Sequence, residues 1–504
     1  MDLNNIKRNQ LDYILTDMLP TELSERFTFF YFYEFLMTKR KELKQMNIFL
    51  ISVKNKYKTG VMFEGGGSGD GGHKGNNWVT MPLKYSIMKE LHTEREISLL
   101  QPIAAVELFA FVSTYQKELI NLLDMNSIFS LRHHHKNNEL CYKNKNKSIT
   151  KYFAVESAQI DKDLIEKTGM FFDIKPYKSI ASFTSSEEWL VLNSKYRYFI
   201  RTDYKACFDS IYTHTFKWLI GKDVNDTKDF KNTNIYTTID RILQNINART
   251  SNGIVVGPEF SRMIAEILLQ AIDRTVYSKL LNSGKALGEN YNVYRFVDDI
   301  FIFAESEELA NEIVQIYSEI SAKYLLRLNE GKLYKNTVPF VLDEWINETS
   351  IFANRTSACL FRTKEEQEIW LQKEKQNSQE KEVVPHILKS RALYYSKRSI
   401  MNQLNELICE YPSKDRTIVA YFLGTILNKV SRNKENVKIF SEHVTEQTVA
   451  NFMDLIFYAY SFFPNYNNTQ RFLSIVSYIR DEYDIFTSSE QLQKLVNKYA
   501  FIFD

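Results

Sequence analysis

The chain has few cysteines, the residues that form the disulfides of small secreted domains and bind structural metals. It contains 4 cysteines in 504 residues. They stand at Cys141, Cys207, Cys359 and Cys409, without the short paired spacing of zinc ligands or the density of a disulfide framework. Such usage is typical of a reducing compartment, so we expect a cytoplasmic protein.

Long apolar runs are also missing, and the net charge is small. No stretch of about 18 apolar residues occurs, and the first residues are too polar for a secretory signal, so we expect no membrane partner. The formal net charge is only +2, whereas proteins that grip long duplexes carry a stronger basic footprint. This balance favours local contact with nucleic acid or with a short single strand.

The pattern of apolar residues changes several times along the chain. Residues 1–60 and 78–123 have helical spacing, and the glycine-rich segment 65–75 between them predicts a flexible loop. Residues 132–151 are polar and basic and predict a hairpin. An alternation of short β-rich runs with helices over 198–345 predicts an α+β region. A charge-rich segment follows over 365–382, and amphipathic helices follow from residue 385 onward.

Two acidic motifs end short apolar runs. Asp203 follows the run YFIRT, and Asp298 and Asp299 lie within YRFVDDIFIF, which predicts two strands joined by a tight turn. Adjacent carboxylates repel each other unless cations bind them. An Asp-Asp pair alone is more often a solvated hairpin tip, and Asp203 alone could cap a helix. The three together predict a site for two Mg²⁺ ions, with Mn²⁺ as an alternative, that clamps a phosphoryl transfer.

Two further motifs flank the Asp-Asp turn. Residues 253–262 (GIVVGPEFSR) open a helix, where Gly257 lets backbone approach a nucleotide and free N–H groups favour an anion. The alternative is an ordinary Gly-Pro helix start. Lys332, in LNEGK, could reach a triphosphate or protonate the pyrophosphate leaving group, or be a surface lysine.

The order of these motifs resembles motifs A, B, C and D of reverse transcriptases, with Phe296 in place of the tyrosine of Tyr-x-Asp-Asp. Residues 207–215 (CFDSIYTHT), 257–262 (GPEFSR) and 81–86 (MPLKYS) are similar to the bacterial abortive-infection (Abi) reverse transcriptases, the AbiK and AbiA group with their prophage-encoded relatives. The resemblance covers about residues 78–345.

This resemblance implies a fold and an activity. It implies an α+β arrangement of fingers and palm, an antiparallel sheet with helices, followed by an all-α, HEAT-like domain. The expected divisions are N-terminal helices and fingers over 1–195, palm over 196–345, connector over 346–384 and helical repeats over 385–504. It also implies a phage-defence DNA polymerase that uses dNTPs, forms homo-oligomers, needs no template and starts from a tyrosine of its own chain. Single-stranded DNA covalently attached to the protein would be the product.

The resemblance also assigns roles to single residues. Asp203, Asp298 and Asp299 would hold the metals, and Lys332 would assist near the phosphates. Phe208, Gly257, Tyr204 and Lys332 would contact the nucleotide; Phe208 would exclude a 2′-hydroxyl unless it is a core residue. Val256 stands where many templated enzymes have a glutamine, and its side chain cannot hydrogen-bond. Two alternatives remain: a templated, retron-like reverse transcriptase, and a non-catalytic palm that binds a phage or host partner.

The priming tyrosine and the basic fingers are less sharply defined. Tyr57 is the first candidate because neighbouring lysines favour its phenolate; Tyr13, Tyr31 and Tyr33 are rivals. Contacts to phosphates, or merely a solvated surface, are expected for a group of basic residues comprising Arg95, Arg132, Lys136, Lys143, Lys145, Lys147 and Lys151. Three consecutive histidines, His133 to His135, should diverge and not share a metal.

Overall fold

The computed structural model describes residues 11–20, 29–38, 79–90, 93–124, 127–136, 171–221, 234–340, 342, 344–377, 388–432, 446–482 and 490–502. Within them, antiparallel pairs of strands build a four-stranded sheet and two smaller sheets, with helices packed around them. The predicted mixture of helices and antiparallel sheet is therefore confirmed. Among the described residues, each helix is too short or too polar to cross a bilayer.

The N-terminal region contains short helices, a hairpin and a long helix. These elements are α1 (Asp12–Thr16), α2 (Phe30–Thr38), β1 (Leu83–Glu90), β2 (Thr93–Leu99) and α3 (Pro102–Leu123). The helix predicted across residues 78–123 is therefore wrong before residue 102. In LKYSIMKE, apolar side chains alternate with polar ones, which is the period of a strand. The glycine-rich segment 65–75 lies outside the described residues.

The next pair of strands is β3 (Arg132–Lys136) and β4 (Phe172–Pro176), which run antiparallel. The hairpin predicted within residues 132–151 is corrected, because the partner of β3 is β4. Alternation along β3 places His133 and His135 on one face and buries His134 on the other. The side chains of adjacent histidines therefore diverge as expected, whereas those of His133 and His135 point to the same side.

The four-stranded sheet carries the acidic motifs, and its strands lie side by side in the order Tyr291–Phe296, Asp299–Ala304, Tyr198–Asp203 and Tyr334–Thr337. The elements of this region are α4 (Ile180–Thr184), α5 (Glu187–Lys195), β5 (Tyr198–Asp203), α6 (Cys207–Ser210), α7 (Thr215–Trp218), α8 (Ile235–Asn245), α9 (Glu259–Asn282), β6 (Tyr291–Phe296), β7 (Asp299–Ala304), α10 (Glu307–Lys323) and β8 (Tyr334–Thr337).

Both faces of this sheet are covered by hydrophobic cores. Ile300 and Ile302 of β7 join a large core shared with α3, α9 and α10. Phe301 and Phe303 point to the other face, where they pack with Trp189 of α5 in a smaller aromatic core. Because both faces of β7 are buried, its sequence is one continuous apolar run rather than an alternation of apolar and polar residues.

The C-terminal region is a set of helices around a core of its own. They are α11 (Glu344–Leu360), α12 (Lys364–Asn377), α13 (Ser390–Glu410), α14 (Asp415–Arg432), α15 (Glu446–Ser461), α16 (Tyr466–Glu482) and α17 (Glu490–Lys498). The amphipathic helices predicted at 417–430, 445–463, 470–483 and 489–500 correspond to α14 to α17. Helix α11 lies in the segment expected to be a connector, yet Trp345 and Phe352 place it in this core. Their seven-residue spacing puts both side chains on one helix face.

Candidate active site

Strand pairing brings the three predicted aspartates to one end of the four-stranded sheet. β5 ends at Asp203, which lies directly opposite Asp299 in the antiparallel register of β5 and β7. β6 and β7 are joined through Val297 and Asp298, so Asp298 occupies the turn beside that pair. Opposed residues in such a ladder have Cβ atoms about 4.5–5.5 Å apart. The predicted convergence of Asp203 with the Asp-Asp turn is therefore present.

The turn itself is strained at Val297. This residue has φ of 57°, a left-handed conformation that a β-branched side chain rarely adopts. The paired strands on either side impose this conformation. Backbone strain of this kind is concentrated at functional sites, where the surrounding structure fixes the geometry.

The charges at this end of the sheet are unbalanced. Burial, and then the negative charges of Asp299 and Asp203, raise the pKa of Asp298 to about 6. Arg201 pairs with Asp299 at 3.0 Å, and Lys332 Nζ lies 2.7 Å from Asp203 Oδ2. The other oxygen, Asp203 Oδ1, is buried and has no hydrogen-bond partner among the described residues. Carboxylate oxygens in this state fit Mg²⁺ or Mn²⁺, which would satisfy the orphaned oxygen and offset the repulsion.

Lys332 is brought to Asp203 by the backbone. It lies in a 3₁₀ turn, Glu330–Lys332, which follows an extended segment beside the end of β5. The Asn329 N–H donates to the Asp203 carbonyl at 2.8 Å, and the Lys205 N–H donates to the Arg327 carbonyl at 2.9 Å. The hydrogen bond to Asp203 raises the pKa of Lys332. The lysine predicted at this position therefore reaches the acidic cluster as a charged ammonium group.

A cleft of about 1140 Å³ opens in front of the carboxylates. Its walls come from the β1–β2 hairpin, the segment after β5, the segment before α9 and the β6–β7 turn. Ligand-binding clefts usually measure about 300–1,000 Å³, so this one is large enough for a ligand the size of a nucleotide. Backbone pairing closes its edges: the Ser98 N–H donates to the Val256 carbonyl at 2.9 Å, and the Thr80 N–H donates to the Asn245 carbonyl at 2.8 Å.

The predicted nucleotide contacts differ in their placement. Phe208 is partly buried and lines the cleft. Tyr204 borders the cleft, but its ring is buried and its hydroxyl hydrogen-bonds Ser321 Oγ at 3.1 Å, so the side chain packs in the core. Gly257 lies against Pro20, and a Cβ there would approach the proline ring to 2.7 Å. Its φ of 127° and this close approach explain why the position is a glycine, and the role predicted for it at the sugar stays a prediction.

The basic residues of the fingers are mostly neutralised or outside the described ranges. Arg132 is buried, forms an ion pair with Glu259 and lies over the Phe296 ring at 5.3 Å. Glu259 also accepts from Arg262 at 3.1 Å. Arg132 thus has a structural ion pair, but it also lines the cleft, so the phosphate contact predicted for it stays a prediction. Arg95 and Arg262 line the cleft, Lys136 ends β3, and Lys143, Lys145, Lys147 and Lys151 lie outside the described residues.

The candidate priming tyrosines differ in the exposure of their side chains. Tyr57 lies outside the described residues. Tyr13 is buried, and the Tyr33 hydroxyl donates to Asp12 at 3.0 Å, whereas Tyr31 is 57% exposed. Of the rivals, Tyr31 has the most accessible side chain.

A buried ion-pair network below the turn was not anticipated from the sequence. Arg295 of β6 is fully buried and bonds Glu266 and Asp273 of α9, with Nε to Asp273 Oδ2 at 2.8 Å. Its guanidinium also donates to the Val297 carbonyl at 2.8 Å, which holds the strained turn in place. The signal was present: an arginine in an apolar strand, with two acids seven residues apart on the buried face of a helix.

Comparison with known proteins identifies the central part of the chain. Residues 135–351 match the family model described as reverse transcriptase (RNA-dependent DNA polymerase). None of the curated proteins compared with the chain matches it.

The solved structures that resemble the chain include yeast telomerases. Apo telomerase from Candida tropicalis is 12% identical with a TM-score of 0.32, over 85% of this chain and 67% of that chain. Telomerase from Candida albicans, in complex with a TWJ fragment of telomeric RNA, is 12% identical with a TM-score of 0.28, over 83% of this chain and 64% of that one. A C-terminally truncated apo telomerase from Candida tropicalis is 15% identical with a TM-score of 0.24, over 33% of this chain and 36% of that chain.

The chain thus spans between about a third and two thirds of the telomerase chains that it matches. TM-scores of this size do not establish a common overall fold. The match over residues 135–351 covers part of the chain and includes Asp203, Asp298 and Asp299. This segment resembles a reverse transcriptase domain, which indicates a nucleotidyltransferase, an RNA-directed DNA polymerase.

Proposed function

We propose that the protein adds deoxynucleotides by two-metal phosphoryl transfer at the end of the four-stranded sheet. Asp203, Asp298 and Asp299 would hold two Mg²⁺ or Mn²⁺ ions. The observation that carries this proposal is the convergence of the three carboxylates, with a buried Asp203 oxygen that lacks a hydrogen-bond partner among the described residues. When bound, such ions stabilise the attacking and leaving oxygens of an in-line displacement.

Lys332 would serve the leaving group. Its Nζ forms an ion pair with Asp203 Oδ2, while its side chain is 65% exposed and can turn toward the cleft. With Asp203 holding a cation, the Lys332 ammonium would be free to face the triphosphate. There it would neutralise the developing charge and give its proton to pyrophosphate.

Phe208 would select the sugar. Its ring lines the same cleft as Asp203 and packs against the large core, which restricts its movement. A ring held in this way would collide with a 2′-hydroxyl and favour dNTPs. Val256 also lines the cleft, and an apolar side chain there cannot hydrogen-bond a templating pair.

We further propose untemplated synthesis that starts from a tyrosine hydroxyl of the chain, with Tyr57 as the first candidate. The support is the absence of a polar side chain at position 256 and the motif resemblance to the abortive-infection enzymes. The DNA product would then be single-stranded and covalently attached to the protein. The same resemblance supports a role in phage defence, homo-oligomers, and a HEAT-like arrangement of the C-terminal helices.

The direct test is incubation of the purified chain with labelled dNTPs and Mg²⁺, without template or primer, followed by denaturing electrophoresis. The proposal predicts label that migrates with the protein and is lost in the Asp298→Ala/Asp299→Ala variant. Label that is incorporated only with an added template would support the retron-like alternative. No incorporation under any condition would support the non-catalytic alternative.

A matched pair of tyrosine variants separates priming from polymerisation. Tyr57→Phe should remove the protein-linked product while extension of a supplied DNA primer continues. Tyr31→Phe, a change at an exposed tyrosine, should leave the protein-linked product intact. A linked product that persists in Tyr57→Phe would refute Tyr57 and leave the other tyrosines to be tested.

A further inference from the structure

Two histidines and an aspartate converge between the end of α3 and β3. Asp124 follows the last residue of α3, and His133 and His135 share one face of β3. One nitrogen of each ring and a carboxylate oxygen all lie within 4.8 Å of one another. The side chains of His133, His135 and Asp124 are 29%, 35% and 31% exposed, so an ion can reach them from solvent.

The two histidines approach different oxygens of the Asp124 carboxylate, at separations longer than ordinary hydrogen bonds. His133 Nδ1 lies 3.6 Å from Asp124 Oδ1, and His135 Nδ1 lies 3.3 Å from Oδ2. Both distances exceed the range of about 2.7–3.2 Å for N–H···O hydrogen bonds. Ligand atoms bound to one tetrahedral ion at about 2.0–2.2 Å lie about 3.3–3.6 Å from each other.

A hydrogen bond fixes the orientation of one ring. His133 Nε2 lies 2.8 Å from the Ser130 carbonyl oxygen, which can only accept, so Nε2 carries the proton. In the neutral ring Nδ1 then offers its lone pair toward the Asp124 carboxylate. A positive charge between these two electron-rich groups, either a proton on Nδ1 or a bound metal ion, would offset their repulsion. A backbone carbonyl behind a ligating imidazole is the usual outer contact of a histidine metal ligand.

We propose that Asp124, His133 and His135 form a binding site for a divalent transition-metal ion, with Zn²⁺ as the ion that best fits the donors. Imidazole nitrogen selects Zn²⁺ and its neighbours over Mg²⁺, which prefers oxygen. The all-oxygen set of Asp203, Asp298 and Asp299 has the opposite preference. Three protein ligands leave one position of a tetrahedral ion for water.

The ion would stabilise the β6–β7 hairpin through the segment that hydrogen-bonds to β6. Residues 129–131 connect the cluster to β6: the Arg295 N–H donates to the Phe129 carbonyl at 2.7 Å, and the Leu131 N–H donates to the Arg295 carbonyl at 2.8 Å. A metal that ties Asp124 to His133 and His135 closes the loop that carries these two bonds. The site would therefore stabilise the strand that leads into the catalytic turn, and its role is structural.

The test measures metal content and metal affinity of the full chain. Chelator-treated protein is titrated with Zn²⁺, and separately with Co²⁺, in excess Mg²⁺ to occupy oxygen sites. The expected result is one Zn²⁺ per chain by elemental analysis and visible absorption from a tetrahedral Co²⁺ centre. His133→Ala and His135→Ala should each lower the affinity by at least about 100-fold, whereas Lys136→Ala on the same strand should not change it.

Asp124→Asn provides a variant that keeps the shape of the side chain. It should also lower Zn²⁺ affinity, which keeps the test informative if a histidine variant fails to fold. A wild-type chain that takes up no Zn²⁺ in excess Mg²⁺ overturns the proposal. Equal Zn²⁺ affinity in the wild type and in His133→Ala/His135→Ala overturns it as well.

Discussion

Replacing Asp298 with asparagine should stabilise the metal-free protein while abolishing nucleotide addition. Burial and the two neighbouring carboxylates raise the pKa of Asp298 from 3.8 to about 6. A tenfold change in proton affinity corresponds to about 1.4 kcal/mol, so the charged carboxylate costs the folded state about 3 kcal/mol at neutral pH. Asparagine removes that charge at nearly constant volume and also removes a metal ligand.

The pH dependence of this effect has a definite sign. An acid whose pKa is higher in the folded than in the unfolded chain binds more protons when folded, so stability falls as pH rises. The cost of Asp298 is absent below about pH 4, grows between about pH 4 and pH 6, and is complete above that. The advantage of Asp298→Asn should therefore be largest at neutral pH and vanish near pH 4.

Urea denaturation in the presence of a chelator measures this difference. Asp299→Asn is the matched control: it relieves the repulsion with Asp298 but also breaks the 3.0 Å ion pair with Arg201, so it should stabilise the protein less than Asp298→Asn does. Added Mg²⁺ should stabilise the wild type and have little effect on Asp298→Asn. A variant that is less stable than the wild type at neutral pH would refute this account of the acidic cluster, as would a difference that does not change with pH.

Three further predictions concern other residues. Lys332→Met, which keeps the length of the side chain, should lower kcat for nucleotide addition by about 10²-fold or more, measured in single-turnover assays; an unchanged kcat would contradict its role. Phe208→Ala should reduce the preference for dNTPs over ribonucleotides by about 10–100-fold, measured as a ratio of kcat/KM; an unchanged ratio would make Phe208 a core residue only. Arg295→Met should destabilise the protein by about 3–5 kcal/mol in urea denaturation, because Glu266 and Asp273 remain buried without their partner; a loss below about 1 kcal/mol would contradict this.

Sequence patterns correctly predicted the hairpin and the helices whose structure is determined by residues close together in sequence. The β6–β7 hairpin around Asp298 and Asp299 has continuous apolar flanks and a two-residue turn, and both signals are contained in ten residues. The amphipathic helices α14 to α17 likewise carry their own period. The pairing of Asp203 with Asp299 depends on the register of two distant strands. It was predicted through the order of the motifs rather than from spacing.

Features that depend on distant contacts were missed or misassigned. The need for glycine at position 257 comes from Pro20, a residue far away in sequence that no local pattern reveals. The β1–β2 hairpin was expected to be helical because a short alternating run with many charged residues gives a weak strand signal. Arg132 was assigned to phosphate without its partner Glu259, and the pairing of Arg295 with Glu266 was not anticipated, because only the tertiary fold brings these residues together.

The most direct test of the central claim is a crystal structure of the protein with Mn²⁺ and a non-hydrolysable dNTP, with the anomalous signal used to locate the metal. We predict two Mn²⁺ peaks about 3.5–4 Å apart, both within coordinating distance of Asp203 and the Asp298–Asp299 turn, with the triphosphate oxygens completing the shells. Mn²⁺ and nucleotide bound elsewhere, with these three carboxylates free of metal, would contradict the account.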